Sequence, residues 1–202
     1  MKTLIIIDIQ NDFIPGRALE VPGGDKIIPV INRLQEKFDL VIATQDWHPE
    51  NHMSFASSHQ DRKPFDTIEW KGMNQILWPD HCVQNSLGAE LHPELDARKV
   101  EAIFRKGMDK NIDSYSGFYD NGHEKNTGLT GYLREPSSLD LHFCGLAADV
   151  CVNFSIQDAL KEGFSANLIE DATCPIDANK FEKIKKELAS KGCKIINSRD
   201  IV

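Results

Sequence analysis

Six short, nearly continuous apolar runs punctuate this sequence, and helical patterns separate most of them. The runs are Thr3–Ile9, Asp39–Thr44, Val100–Arg105, Ser138–Gly145, Ser165–Glu170 and Lys194–Asn197. Strands apolar throughout, rather than on alternate residues, are buried on both faces. Between them, Gly24–Lys37 carries apolar residues at 27, 28, 30, 31 and 34. A second helix is expected from Cys151 to near Gly163 through Phe154, Ala159 and Leu160, and a third over Ala178–Ser190, ended by Gly192. The expected fold is an α/β three-layer sandwich, Rossmann-like, with a six-stranded, mainly parallel sheet covered by helices on both faces. At 202 residues the chain reads as one domain, 1–202. Two segments break the alternation: about 46–98, polar and rich in His, Pro and Trp, and 106–136, rich in Gly, Asn, Tyr and Asp. Insertions of that length in an α/β domain are usually functional loops.

The formal net charge of -8 argues against nucleic acid or an anionic membrane as partner. The first apolar run is interrupted at Asp8, too early for a signal segment or a membrane span. Five cysteines, 82, 144, 151, 174 and 193, are an odd number without a CxxC pair, which suits free thiols in a reducing compartment. A cytoplasmic protein is expected.

Open α/β sheets bind ligands beyond the carboxyl ends of their strands. There this sequence sets Asp8, then Gln45-Asp46-Trp47-His48, then Arg105-Lys106-Gly107, and after the fourth strand Cys151. A thiol in the first turn of a helix feels the positive end of the helix dipole, which favours the nucleophilic thiolate. Cys144, inside the strand, reads as a packed core residue. Asp8 follows four apolar residues, so burial raises its pKa while a nearby lysine lowers it, poising it for proton exchange with a thiol. Asp12, in the next loop, is expected to bond backbone amides. Lys106 at a strand end needs a partner if buried, and Asp8 is the obvious one; Arg105 should point to the other face. Asp46-x-His48 sets two metal-type donors on one side of extended chain, and His81 can supply a third. One carboxylate and two imidazoles suit zinc, iron or manganese. His52 and His59 are rivals or additions, whereas His92 reads as a surface histidine.

These residues lie in stretches that resemble the nicotinamidases, within the isochorismatase-like hydrolases. The stretches are Ile7-Asp8-Ile9-Gln10-Asn11-Asp12-Phe13, Gln45-Asp46-Trp47-His48-Pro49, Trp78-Pro79-Asp80-His81-Cys82-Val83-Gln84, Lys106-Gly107, Asp113-Ser114-Tyr115-Ser116-Gly117-Phe118 and Gly145 to Cys151. The resemblance implies a triad of Asp8, Lys106 and Cys151, metal ligands Asp46, His48 and His81, and a slot for a flat ring lined by Phe13, Trp78 and Tyr115. A further ligand would come from His52, Ser54 or His59. The reaction implied is hydrolysis of nicotinamide to nicotinate and ammonia through a cysteine thioester, in NAD salvage, with pyrazinamide as a second substrate. One divalent ion, zinc before iron or manganese, would hold the pyridine nitrogen. The backbone N–H groups of Ala147 and Cys151 would bind the oxyanion, and the peptide bond between Leu146 and Ala147 is expected to be cis. The partner is then a small molecule, and a homo-oligomer is compatible with the sequence. Two alternatives compete: a cysteine amidohydrolase for carbamoyl or ureido groups, and a metal-binding or thiol-redox protein without turnover.

Overall fold

Leu4 to Ile7 have no polar face to offer water, so the strand they form can only lie inside a sheet covered on both sides. The computed structural model describes residues 1–135 and 140–202, and in it β1 (Lys2–Ile7) lies inside a six-stranded sheet, third from one edge. With β2 (Leu40–Asp46), β5 (Val100–Lys106), β6 (Asp140–Leu146), β7 (Ser165–Cys174) and β8 (Lys194–Ile196), the order is β5-β2-β1-β6-β7-β8. Each of these pairs is parallel. The sheet is therefore wholly parallel among the described residues. The chain moves outward from β1 to β2 and β5, then returns to the other side of β1 with β6. That reversal creates a switch point, where the carboxyl ends of β1 and β6 leave a crevice. The first two residues of the expected fourth strand, 138 and 139, lie outside the described residues, as does the last residue of the insertion 106–136.

Two boundaries and one orientation differ from expectation. The helix expected over Gly24–Lys37 is α-helical only as α1 (Ile28–Leu34), with 3-10 turns at Gly24–Ile27 and Gln35–Lys37. Pro29 stands in its first turn and has no N–H to donate backwards, so the α ladder starts there and the preceding turn tightens. Between Phe143 and Gly145 the β6–β7 pairing shifts register, and β7 continues to Cys174 opposite Leu146; the polar pair Glu170-Asp171 hid that continuation. Phe154 does not face the core: it is exposed on α3 (Asn153–Lys161), its ring 5.2 Å from that of Tyr115.

Three elements were not expected. β3 (Thr67–Trp70) and β4 (Met73–Ile76) form a hairpin whose turn residues, Lys71 and Gly72, both have positive φ. Lysine is an unusual occupant of that turn, so the usual Asn-Gly or Asp-Gly signal is missing. α2 (Leu129–Arg134) is too short to show a period. The last helix, α4 (Ala178–Ser190), packs on α3 and keeps its expected bounds, with Asp177 accepting from the N–H groups of Asn179 and Lys180. Among the described residues no helix is long and apolar enough to cross a membrane.

Candidate active site and metal centre

Immediately after β1 the chain turns at Asp8, whose φ is 48°. The turn ends the strand one residue before the polar rim and aims the carboxylate inward, where it is fully buried. Thr44 Oγ1 donates to Asp8 Oδ1 at 2.7 Å, and Lys106 Nζ lies 2.9 Å from Oδ2. Burial raises the Asp8 pKa above the ordinary carboxylate value, and Lys106 only partly offsets this.

Lys106 ends β5 directly across from Asp46 on β2. Its buried ammonium sits 2.7 Å from Asp46 Oδ1, donates to the Ser114 carbonyl at 3.1 Å, and reaches Cys151 Sγ at 3.5 Å. Burial alone would discharge it, but Asp46 and Asp8 together hold its pKa well above the usual lysine value. Lys106 thus has two carboxylate partners, one more than expected. Arg105 points the other way, over the Trp47 ring with 3.8 Å to the centroid.

Cys151 lies in a π-helical turn, Ala148–Val152, that links β6 to α3. This corrects the expected first turn of an α-helix and the dipole argument built on it. Burial pushes the thiol pKa well above normal; Lys106 pulls it down, while Asp8 and Asp46 push it up again. Burial thus favours the thiol form, and Asp8 is the base in reach: single ligand-type atoms of Asp8, Asp46 and Cys151 lie within 4.8 Å of one another. The Leu146–Ala147 bond is cis. Gly145 before it has φ 111°, and a Cβ there would stand 2.0 Å from the Ile7 carbonyl oxygen, so only glycine fits. Cys144 is buried in β6 with a raised pKa and has no access to the rim.

Asp46 divides its carboxylate. Oδ1 meets Lys106, while Oδ2 lies 3.5 Å from His48 Nε2 and 3.8 Å from His81 Nε2. Burial opposes its charge, yet Lys106 and His48 hold its pKa well below the usual range. His48 Nδ1 faces the Gly107 carbonyl at 3.0 Å and His81 Nδ1 the Pro79 carbonyl at 2.8 Å. A carbonyl only accepts, so both Nδ1 atoms carry the proton and both Nε2 lone pairs are free to bind an ion. Their ligand-type atoms and that of Asp46 all lie within 4.8 Å of one another. The donor set fits a divalent ion of the zinc, iron or manganese type. Gly107 is tight against it: a Cβ there would stand 2.4 Å from the His48 ring.

The rival histidines are engaged elsewhere. His52 Nε2 donates to the carbonyls of Asp109 and Ile112 at 2.9 and 3.2 Å, and its Nδ1 is 2.8 Å from Ser54 Oγ. His59 donates to the Met53 carbonyl and faces Trp70. His92 is half-buried and accepts from the Glu94 N–H. Asp12 does bond a backbone amide, that of Cys82 at 2.8 Å, anchoring the loop that carries His81.

Phe13, Trp78, Tyr115 and Ala147 line one narrow cavity with Asp46, His81 and Cys151 at its floor. The Trp78 and Tyr115 rings meet edge-on at 6.1 Å. Asp113, Leu19, Val150 and Ile176 share the lining and were not expected there. Asp113 is buried; its Oδ1 accepts from the Ser114 N–H at 2.8 Å and its Oδ2 from Gln75 Nε2 at 2.9 Å, the same nitrogen lying 3.1 Å from the Tyr115 hydroxyl. Gln75 belongs to the unforeseen hairpin. Gln10 is a second residue without a chemical signature: Nε2 donates to the carbonyls of Asp46 and Ala89, and Oε1 accepts from the Asp46 N–H, each at 2.8 Å.

Three comparisons bear on this arrangement. The model of the isochorismatase domain matches residues 2–200. A nicotinamidase of Acinetobacter baylyi is 46% identical over 98% of this chain and 94% of its own. The solved nicotinamidase/pyrazinamidase of Acinetobacter baumanii superposes with a TM-score of 0.96 at 44% identity, covering 100% of this chain and 98% of its own. The pyrazinamidase of Pyrococcus horikoshii, solved in complex with zinc, gives 0.80 at 38% identity over 97% and 98%. With the isochorismatase domain matched over residues 2–200 and a relative 46% identical over 98% of the chain, this protein belongs to the isochorismatase family.

Proposed function

We propose that this chain is a metal-dependent amidase that hydrolyses nicotinamide to nicotinate and ammonia, with pyrazinamide as a second substrate. The observation that carries the reading is the position of the Lys106 ammonium, 2.9 Å from Asp8 and 3.5 Å from the Sγ of Cys151, the thiol that lines a slot walled by aromatic rings. It is supported by the relatives named nicotinamidase that match nearly the full chain.

In this reading the slot takes the ring and presents the carboxamide to Cys151. Asp8 accepts the thiol proton and the sulfur attacks the carboxamide carbon. Lys106 holds Asp8 in place and stabilises the developing thiolate. The backbone N–H groups of Ala147 and Cys151 receive the oxyanion. Asp8 returns its proton to the leaving nitrogen, ammonia departs, and a water deprotonated by Asp8 cleaves the thioester to acid and thiol. Phe13, Trp78 and Tyr115 exclude water from the ring faces. Asp46, His48 and His81 are the residues that would hold a divalent ion, zinc before iron or manganese, which supplies Lewis-acid binding for a heteroaromatic nitrogen.

The full chain acts as one domain, and its five free thiols favour a reducing, cytoplasmic setting. The reaction consumes nicotinamide and so belongs to NAD salvage. Ammonia release from nicotinamide by purified protein, with and without a chelator, tests the proposal. Release that stops on chelation and returns with zinc supports it; turnover of a carbamoyl or ureido compound and not of nicotinamide overturns it, as does metal bound with no ammonia from any amide.

A further inference from the structure

Asp113 is the buried acid for which the reaction has no use. It is 3% exposed, lines the cavity that holds Cys151 and His81, and has an oxygen within 4.8 Å of ring nitrogens of both His48 and His52. Both its oxygens are taken by neutral donors, the Ser114 N–H and the Gln75 amide, and among the described residues no cation is paired with it. A carboxylate in such a position needs a positive charge, because burial without one is costly. The buried ammonium of Lys106 lies against Asp8 and Asp46 and is not paired with Asp113. Among the described residues Asp113 therefore has no ammonium of its own, while Asp8 and Asp46 share that of Lys106.

We infer that Asp113 is the charge-balancing group of the metal centre, a carboxylate outside the coordinating set whose charge is compensated only when a divalent cation is held there. This rests on the assignment of Asp46, His48 and His81 as ligands. Asp113 is not among the donors that Asp46, His48 and His81 bring together, and its distance from His48 keeps it close enough to act through charge. A site built this way favours a divalent ion over a monovalent one. It also fits the product: a carboxylate anion formed beside Asp113 is opposed less when the ion is present. Gln75 has a separate job, tying Asp113 and Tyr115 to the β3–β4 hairpin.

The test is the affinity of metal-free protein for zinc(II), read by competition with a chromogenic chelator. Asp113→Asn, which keeps the shape and removes the charge, should weaken zinc binding about 10- to 100-fold. Asp113→Glu should recover most of that loss, and Gln75→Leu, which removes a hydrogen bond but no charge, should leave affinity unchanged. The cobalt(II) absorption spectrum of the Asn variant should match the parent's. If Asp113→Asn does not fold, Asp113→Ser, whose hydroxyl can still accept from the Ser114 N–H, carries the same expectation. His81→Ala separates the two levels: zinc retained in that variant refutes the ligand assignment. Zinc lost there but held with parental affinity by Asp113→Asn refutes the role of Asp113 alone. A loss in Gln75→Leu as large as in Asp113→Asn, or an altered cobalt spectrum, also overturns the inference.

Discussion

The two halves of the site are built by different means. Asp8, Lys106 and Cys151 stand at or just beyond the ends of β1, β5 and β6, so a rigid sheet sets their separations. His48, His81, Trp78 and Tyr115 hang on long insertions, where short bridges such as His48 with Val83 and Phe55 with Trp78 replace a sheet. Asp46 belongs to both, giving Oδ1 to Lys106 and Oδ2 to the histidine side. The lesson is a division of labour: in the proposed reaction the groups that would make and break bonds are fixed by a continuous sheet, and those that would recognise the ring by isolated bridges and side-chain contacts. Sites on regular elements hold their geometry more tightly than sites on loops.

The largest expected effect falls on the sheet half. Cys151→Ala should lower ammonia release by at least about 10⁴-fold while zinc content and the thermal unfolding curve stay near the parent's. Cys144→Ala, seven residues earlier in the packed strand, should keep activity and lose at most about 2 kcal/mol of stability. The opposite pattern would reverse the assignment of nucleophile. Next comes Lys106→Met. It leaves Asp8 and Asp46 buried without their cation, and denaturant unfolding should show a loss of about 3–5 kcal/mol. A variant as stable as the parent would mean that the two halves are not joined through this lysine.

A smaller effect is expected where the halves touch. Gly107 follows Lys106, and its carbonyl orients His48. Gly107→Ala combines a positive φ with a Cβ 2.4 Å from the His48 ring, so zinc affinity should fall about 10-fold with little change in kcat of the loaded enzyme. A fall in kcat with affinity intact would place the strain on the lysine instead. The mildest test is pH. Burial raises the Asp8 pKa, so its protonated form persists to higher pH than for a free side chain. The acid limb of kcat/KM, measured at constant metal occupancy, should therefore lie above the ordinary aspartate value of 3.8. The sign for stability follows: with the folded pKa above the unfolded one, the contribution of Asp8 to folding is full at acid pH and fades as pH rises through the folded value. A limb at or below the ordinary value would remove Asp8 as the base.

The same division explains what could be read in the chain. Apolar continuity marked the six strands because burial on both faces leaves no other composition, and the rim then followed from which polar residues ended each run. Asp8, Lys106 and Cys151 were legible for that reason, while Asp46, His48 and His81 needed the spacing of metal-type side chains. Asp113 and Gln75 could not be found: an acid and an amide in polar loops look solvated until the hairpin folds over them. The hairpin itself was hidden by Lys71-Gly72, and the extension of β7 by Glu170-Asp171. Chemical state was the least legible property. The helix start at Cys151 suggests a thiolate, whereas burial of the sulfur pushes its pKa up, towards the thiol.

Gln10 has one more consequence. β1 leaves the sheet at Asp8, two residues short of where it would face the end of β2, and this should strand the backbone groups of Asp46. The carboxamide of Gln10 takes over as a counterfeit peptide unit: its C=O receives the Asp46 N–H and its N–H answers the Asp46 carbonyl. The ladder gains a rung from a side chain while the main chain is free to swing away. The vacancy left by the departing strand is the floor on which the thiol, the lysine and the acids meet. A glutamate at that position, equal in length but lacking the donor, would set two oxygens against each other and close the opening that the substitution of side chain for backbone creates.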